Sequence, residues 1–163
     1  MGRLGRIALI QVAVVGSVLA AGLFATPPAG ASVKTAQDDV VRLTNAERQR
    51  AGCAPLNVVT ELNQAAQGHS QDMATHNFMG HIGSDGSTVE VRVERAGYTG
   101  WWALAENVAA GQRTPEAAVA WWMGSPGHRA NILNCALKDI GVGYATNPNS
   151  TYGVYWTQNF GSR

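Results

Sequence analysis

The sequence predicts an α+β domain in which helices pack on a mainly antiparallel sheet. Three observations carry this. Apolar residues recur at helical spacing through most of the chain, helix start and stop signals punctuate those stretches, and two segments near the C-terminus alternate as strands.

Taken in order, the first helix runs from Asp38 to Arg50 and stops at Gly52. Thr60 is expected to cap a second. There Leu62, Ala65, Ala66, His69 and Met73 fall on one continuous face, so His69 points inward and reads as a core histidine bonded to backbone. A glycine-containing loop, "NFMGHIGSDGST", then carries His81 and a turn signal at Asp85-Gly86. "STVEVRVERAGY" is ambiguous. Val89, Val91 and Val93 alternate as in a strand, whereas Ser87-x-x-Glu90 reads as a capping box and Gly97 as a helix stop, which favours a short helix.

Leu104 to Gly111, "LAENVAAG", is an extended segment around Glu106 and Asn107. Thr114, Pro115 and Glu116 open a helix that reaches about Met123, on which Trp121 and Trp122 cannot both face inward. Ser125 at the N-cap and Pro126 at N1 start another, placing His128 near N3 with Arg129 behind it. "IGVGYAT" and "YGVYWTQNF" complete the chain as strands joined by "NPNS".

Residues 1–31 read as a secretory signal segment, with an uncleaved membrane anchor as the alternative. Arg3 and Arg6 precede the apolar run Ile7 to Ala25, and "AGA" at Ala29 to Ala31 supplies the small-residue cleavage pattern. The remaining 32–163 suit one domain. Loss of two arginines and no acid takes the net charge from +1 to −1, which argues against nucleic acid or a polybasic membrane surface as partner. Cys53 and Cys135, an even pair in an exported chain, read as one disulfide.

Candidate chemistry is sparse, with no H-E-x-x-H, G-x-S-x-G or G-x-x-x-x-G-K motif. Glu106 has no basic residue within six positions on either side, and a carboxylate in so apolar a segment is costly to bury unless paired or metal-bound. The helix N-terminus and Arg129 disfavour a charged His128, leaving the neutral imidazole that coordinates metal or accepts a proton. His81, Glu106 and His128 would then form a three-ligand site for zinc or another divalent cation. Ser125, Asn107, Tyr155 and Gln158 are the candidate cleft-lining residues beside it. No catalytic residue is assigned.

Five segments occur in a telling order: "LTNAERQRAGCAPL", "HSQDMATHNFMGH", "AENVAAG", "AWWMGSPGHRANIL" and "YWTQNFG". Together they resemble the secreted CAP domain family, the cysteine-rich secretory protein, antigen 5 and pathogenesis-related 1 group, in its bacterial SCP-like branch. The resemblance covers about Asp39 to Gly161 and implies an α-β-α sandwich with an open cleft. It also implies a helix for "VEVRVER". The family cleft often holds two histidines and two glutamates able to bind a divalent ion. His81 and Glu106 match two of the four. The second histidine falls at Tyr155 and the second glutamate at Ser125, while "SPGHRANIL" offers His128, so the resemblance implies three ligands and not a tetrad.

The resulting expectation is a secreted extracellular binding module, favoured over an enzyme, for a lipid, glycan or protein ligand, with no membrane contact once the leader is cleaved. A metal-dependent hydrolase using His81, Glu106 and His128 is the alternative. A purely structural polar cluster is the third. Glycan binding would need aromatics at the cleft wall, for which Trp101, Trp102 and Trp156 are available.

Overall fold

The computed structural model describes residues Met1, Gly2 and 35–163, so the expected signal segment lies outside the described residues. Among the described residues five helices pack on a four-stranded mixed sheet: α1 (Ala36–Arg50), β1 (Asn57–Val58), α2 (Thr60–His76), α3 (Val89–Arg95), β2 (Ala103–Ala110), α4 (Pro115–Gly124), α5 (Pro126–Ile132), β3 (Asp139–Thr146) and β4 (Val154–Ser162). No described helix is long and apolar enough to cross a membrane.

Strand order is β1-β3-β4-β2. Only the two-residue β1 runs parallel, against β3, while β3 and β2 flank β4 in antiparallel register. One face of the sheet meets α1, α4 and α5 through Val40, Val119, Trp122, Ile132, Ile140, Trp156 and Phe160. The other meets α2 and α3 through Leu62, Ala65, Val93 and Tyr98, and through Met73 with Val108 and Tyr155. This is the expected α-β-α sandwich. Trp122 is buried and Trp121 exposed, as two consecutive helical residues require.

The local signals hold with small displacements. Thr35, three residues before the expected start, caps α1 in a capping box with Asp38. Thr60 is the first residue of α2 instead of its cap, which is Val59 with no side-chain bond. "VEVRVER" is helical but capped at Thr88, so Ser87 and Glu90 form no capping box there. Thr114 and Pro115 open α4 as read. Ser125 stands at the N-cap of α5, yet its side chain makes no cap bond. The β3–β4 connection is longer than "NPNS" and closes with Asn147 N–H donating to Gly153 O, Gly153 supplying a φ of +74°.

Side chains from the helices meet part of both sheet edges. On the β3 side, Asn63 Oδ1 accepts from Val142 N–H and Gln67 Oε1 from Tyr144 N–H, at 2.8 and 3.1 Å. On β2, Asn131 Nδ2 donates to Glu106 O and Trp122 Nε1 to Val108 O, at 3.2 and 3.0 Å. Unpaired strand edges invite pairing with other chains, and these bonds engage some of the groups that would do it.

Cys53 and Cys135 form the expected disulfide, with Cα atoms 5.0 Å apart. It joins two loops that Arg48 also holds. Fully buried, Arg48 donates to the carbonyls of Ala54, Ile132, Asn134 and Leu137 at 2.8–3.0 Å.

Close packing of α2 on the sheet depends on Gly141 and Gly143, where a Cβ would overlap the backbone of Leu62 and Ala66. Gly68, in the middle of α2, has open space around it. Opposite effects on urea unfolding are therefore expected. Gly141→Ala should destabilise by about 1–3 kcal/mol, since overpacking meets backbone that cannot rotate away. Gly68→Ala should stabilise by about 0.5–1 kcal/mol by relieving the entropy cost of a helical glycine. A neutral Gly141→Ala would contradict the packing described.

Candidate functional site

Glu106 lies on β2, the edge strand, with its side chain toward the α2–α3 layer. Its side chain is only 2% exposed, and its charge is met from three directions. Arg92 Nη2, from α3, donates to Oε2 at 2.7 Å, its own side chain being 9% exposed. Asn159 on neighbouring β4, with its amide turned so that both ends are matched, donates to the same oxygen at 3.0 Å. His81 Nδ1 bonds Oε1 at 2.9 Å. The isolation of Glu106 from basic residues in the sequence is thus undone in space.

Arg92 also fixes the loop that carries His81. Its Nη1 donates to Ser87 O at 2.8 Å and its Nη2 to His81 O at 3.0 Å. His81 itself is 55% exposed, and the Nδ1 bond to Glu106 leaves its Nε2 side open. The hydrogen bond with Glu106 raises the His81 pKa above the usual histidine value, with burial opposing.

His128 arrives from the other layer. Asn107, the neighbour of Glu106 on β2, points to the opposite face, where its Nδ2 donates to His128 O at 3.2 Å. His128 has a lowered pKa, first because burial disfavours its charge and then because of the charge of His81. The neutral form expected from sequence is favoured, though for a different reason than the helix start and Arg129. His81 thus bonds Glu106 directly, whereas His128 is tied to β2 through its backbone carbonyl and senses the pair only through the charge of His81.

The donor set fits a divalent cation poorly. Both oxygens of Glu106 are engaged, one of them by a guanidinium, and His81 spends Nδ1 on the carboxylate. Among the described residues no group of three or more His, Cys, Asp or Glu side chains is arranged to hold a metal ion.

The expected cleft-lining set requires correction. Asn107, Tyr155 and Gln158 are fully buried. Asn107 and Gln158 bond each other at 3.1 Å, Gln158 reaches Thr44 at 2.8 Å, and Asn131 donates to Asn107 Oδ1 at 2.9 Å. These amides tie β2 and β4 to α1 and α5. Tyr155 packs with Met73, Ala74, Val108 and Ala145, its hydroxyl 3.4 Å from Asn77 Oδ1. Ser125 is half-buried, and its side chain makes no cap bond. His69 is the inward core histidine expected, with Nε2 2.8 Å from Gly80 O, and burial lowers its pKa. Trp156 is buried with its indole donating to Gln112 O, and Trp101 packs against the α2–α3 core. Only Trp102 of the three expected wall aromatics is exposed, and it precedes β2.

Sequence reasoning missed Arg92 and Asn159. The pairing of Arg92 with Glu106 joins a helix to a strand 14 residues away, a separation with no periodic signature. Asn159 could have been suspected from the polar run "TQN" in an otherwise apolar strand.

A raised folded pKa means that the His81–Glu106 bond stabilises the fold below the free histidine value of 6.5, and that this contribution is lost as pH rises through the folded value. His128, lowered, has the opposite sign and loses stability as pH falls through its folded value. In an NMR titration of imidazole signals, His81 is expected to titrate above His128, and Glu106→Gln to bring His81 down. An unmoved His81 in that variant would show that Glu106 does not govern it.

The family described as the cysteine-rich secretory protein family, CAP, matches residues 41–160. The Bacillus subtilis (strain 168) protein YkwD is 40% identical over 135 residues, covering 83% of this chain and 50% of that protein. The membrane protein YlbC of the same organism is 32% identical over 126 residues, covering 77% of this chain and 34% of YlbC. The chain thus spans half or less of the curated relatives it matches. Among solved structures, an extracellular protein containing an SCP domain from Bacillus anthracis str. Ames is 31% identical with a TM-score of 0.70, over 78% of this chain and 40% of that one. A cysteine-rich secretory protein of Staphylococcus aureus subsp. aureus Mu50, 20% identical with a TM-score of 0.62 over 78% of this chain and 38% of that one, shares the fold.

Proposed function

The chain belongs to the cysteine-rich secretory protein family, CAP, and on that premise we propose that it acts outside the cell as a binding module. Its ligand, a lipid, glycan or protein, is held at the His81–His128 pair around the free edge of β2. The observation that carries this reading is the full engagement of Glu106. A carboxylate bonded to Arg92, Asn159 and His81 is a positioning group. It has no role left as a general base or as a ligand for a hydrolytic metal. The open Nε2 side of His81 and the neighbouring His128 remain as hydrogen-bonding groups.

Two further features support the reading. Exposed Met79 and Ile82 flank His81 in its loop and add apolar surface beside the imidazole, which suits a ligand with both polar and apolar parts. The Cys53–Cys135 disulfide suits an oxidising compartment, and the similar Bacillus anthracis protein is described as extracellular.

The purified protein should be screened against a glycan array, neutral and anionic phospholipid vesicles, and peptide fragments of cell-surface proteins, beside His81→Ala and His128→Ala. Both variants are expected to weaken capture of the bound class at least tenfold while keeping the wild-type circular dichroism spectrum. Undiminished capture by both, or capture of nothing by the wild type, would sink the reading.

A further inference from the structure

We infer that Arg92 takes the place of a divalent cation on Glu106, so that the site runs on a built-in guanidinium instead of a bound metal. The inference rests on the reading above for the location of the site and deepens it by removing metal from its chemistry.

A carboxylate buried to 2% exposure needs a cation or several donors at hand. A metal held between histidines and this glutamate would supply one. Here the supply is already complete, because the Arg92 guanidinium lies 2.7 Å from Oε2 and is itself almost fully buried.

Arg92 is also held in place from the other side. Its bonds to Ser87 O and His81 O anchor the guanidinium to the loop that carries His81. To admit an ion, the arginine would have to leave three acceptors at once, and the ion would meet its repulsion in a partly desolvated setting. His81 would have to give up the Nδ1 bond that orients it or bind through Nε2 alone. The same guanidinium therefore does two things. It neutralises Glu106, and it anchors the His81 loop at two carbonyls, which makes Arg92 a positioning residue for the imidazole.

Zinc is the probe. Calorimetric titration of zinc into the wild-type protein should be run beside Arg92→Met, Arg92→Lys and the double variant Arg92→Met with His81→Ala, with His81 imidazole signals followed by NMR. Wild type and Arg92→Lys are expected to show no saturable binding and no His81 shift. Arg92→Met is expected to gain binding near one equivalent, at least tenfold tighter than wild type, and the double variant to lose it. A merely structural Arg92 would not confer zinc binding when removed, nor would lysine restore the exclusion.

Saturable binding by the wild type that moves His81 would overturn the inference. So would a folded Arg92→Met that binds zinc no better than wild type. Should Arg92→Met fail to fold, the wild-type titration decides alone: unmoved His81 signals in excess zinc support the inference, and a shift complete at one equivalent overturns it. Ligand capture by a zinc-binding wild type would leave the binding reading standing while this one fails. A protein that captures nothing and excludes zinc would separate them the other way.

Discussion

Glu106 is the constraint around which this domain is arranged. A carboxylate on an edge strand, covered by a helical layer, has to be neutralised within the fold or remain a large desolvation penalty. The solution recruits one group from each available direction: Arg92 from α3, Asn159 from the adjacent strand and His81 from the preceding loop. The site geometry follows. Loop 77–88 is held by Arg92 at the carbonyls of His81 and Ser87, by His69 at that of Gly80 and by Asp72 at Ser84, and His81 presents its outer edge because its inner nitrogen is taken.

The centre of the sheet extends the same logic. β4 is buried along nearly its whole length and carries three consecutive polar residues that face two different layers. Thr157 bonds Ser70 of α2 at 2.9 Å, Gln158 bonds Thr44 of α1, and Asn159 serves Glu106. Such contacts bring less net stability than their number suggests, because each replaces a bond to water. Their effect is on specificity. A register slip of one residue would exchange the faces and leave all of them without partners. Polar residues in this strand therefore fix how the layers are stacked, and the histidines on either side of β2 inherit that precision.

Local structure was largely readable from the sequence. The inward face of α2, the Thr114-Pro115 start and the alternation of the last two strands report directly on the element that contains them. Small errors at Thr60 and Ser87 arose because a threonine or serine can cap a helix from more than one position, and tertiary packing chooses between them. The family order of motifs pointed to His81, Glu106 and His128, and of these the fold bonds His81 to Glu106. Reading Asn107, Tyr155 and Gln158 as cleft residues failed for a definite reason. In a three-layer sandwich both faces of the sheet are covered, so a polar side chain on a strand faces another layer as readily as it faces solvent. Alternation cannot distinguish the two. The Arg92–Glu106 pair was illegible because nothing in a helix or a strand, taken singly, says which charge lies across the gap between them.

The two halves of α5 answer to different chemistry. Its N-terminal turn carries His128, whose charge state depends on proton concentration and on His81. Its C-terminal end is held through Arg48, which binds four backbone carbonyls and no carboxylate, next to a disulfide. Neither a carbonyl nor a disulfide titrates, and arginine stays charged across the range in which proteins fold. Acidification that reaches the imidazoles therefore leaves this clamp untouched. A chain built this way can let its surroundings retune the histidines beside β2 while the frame behind them keeps the same shape, separating the part that senses acidity from the part that withstands it.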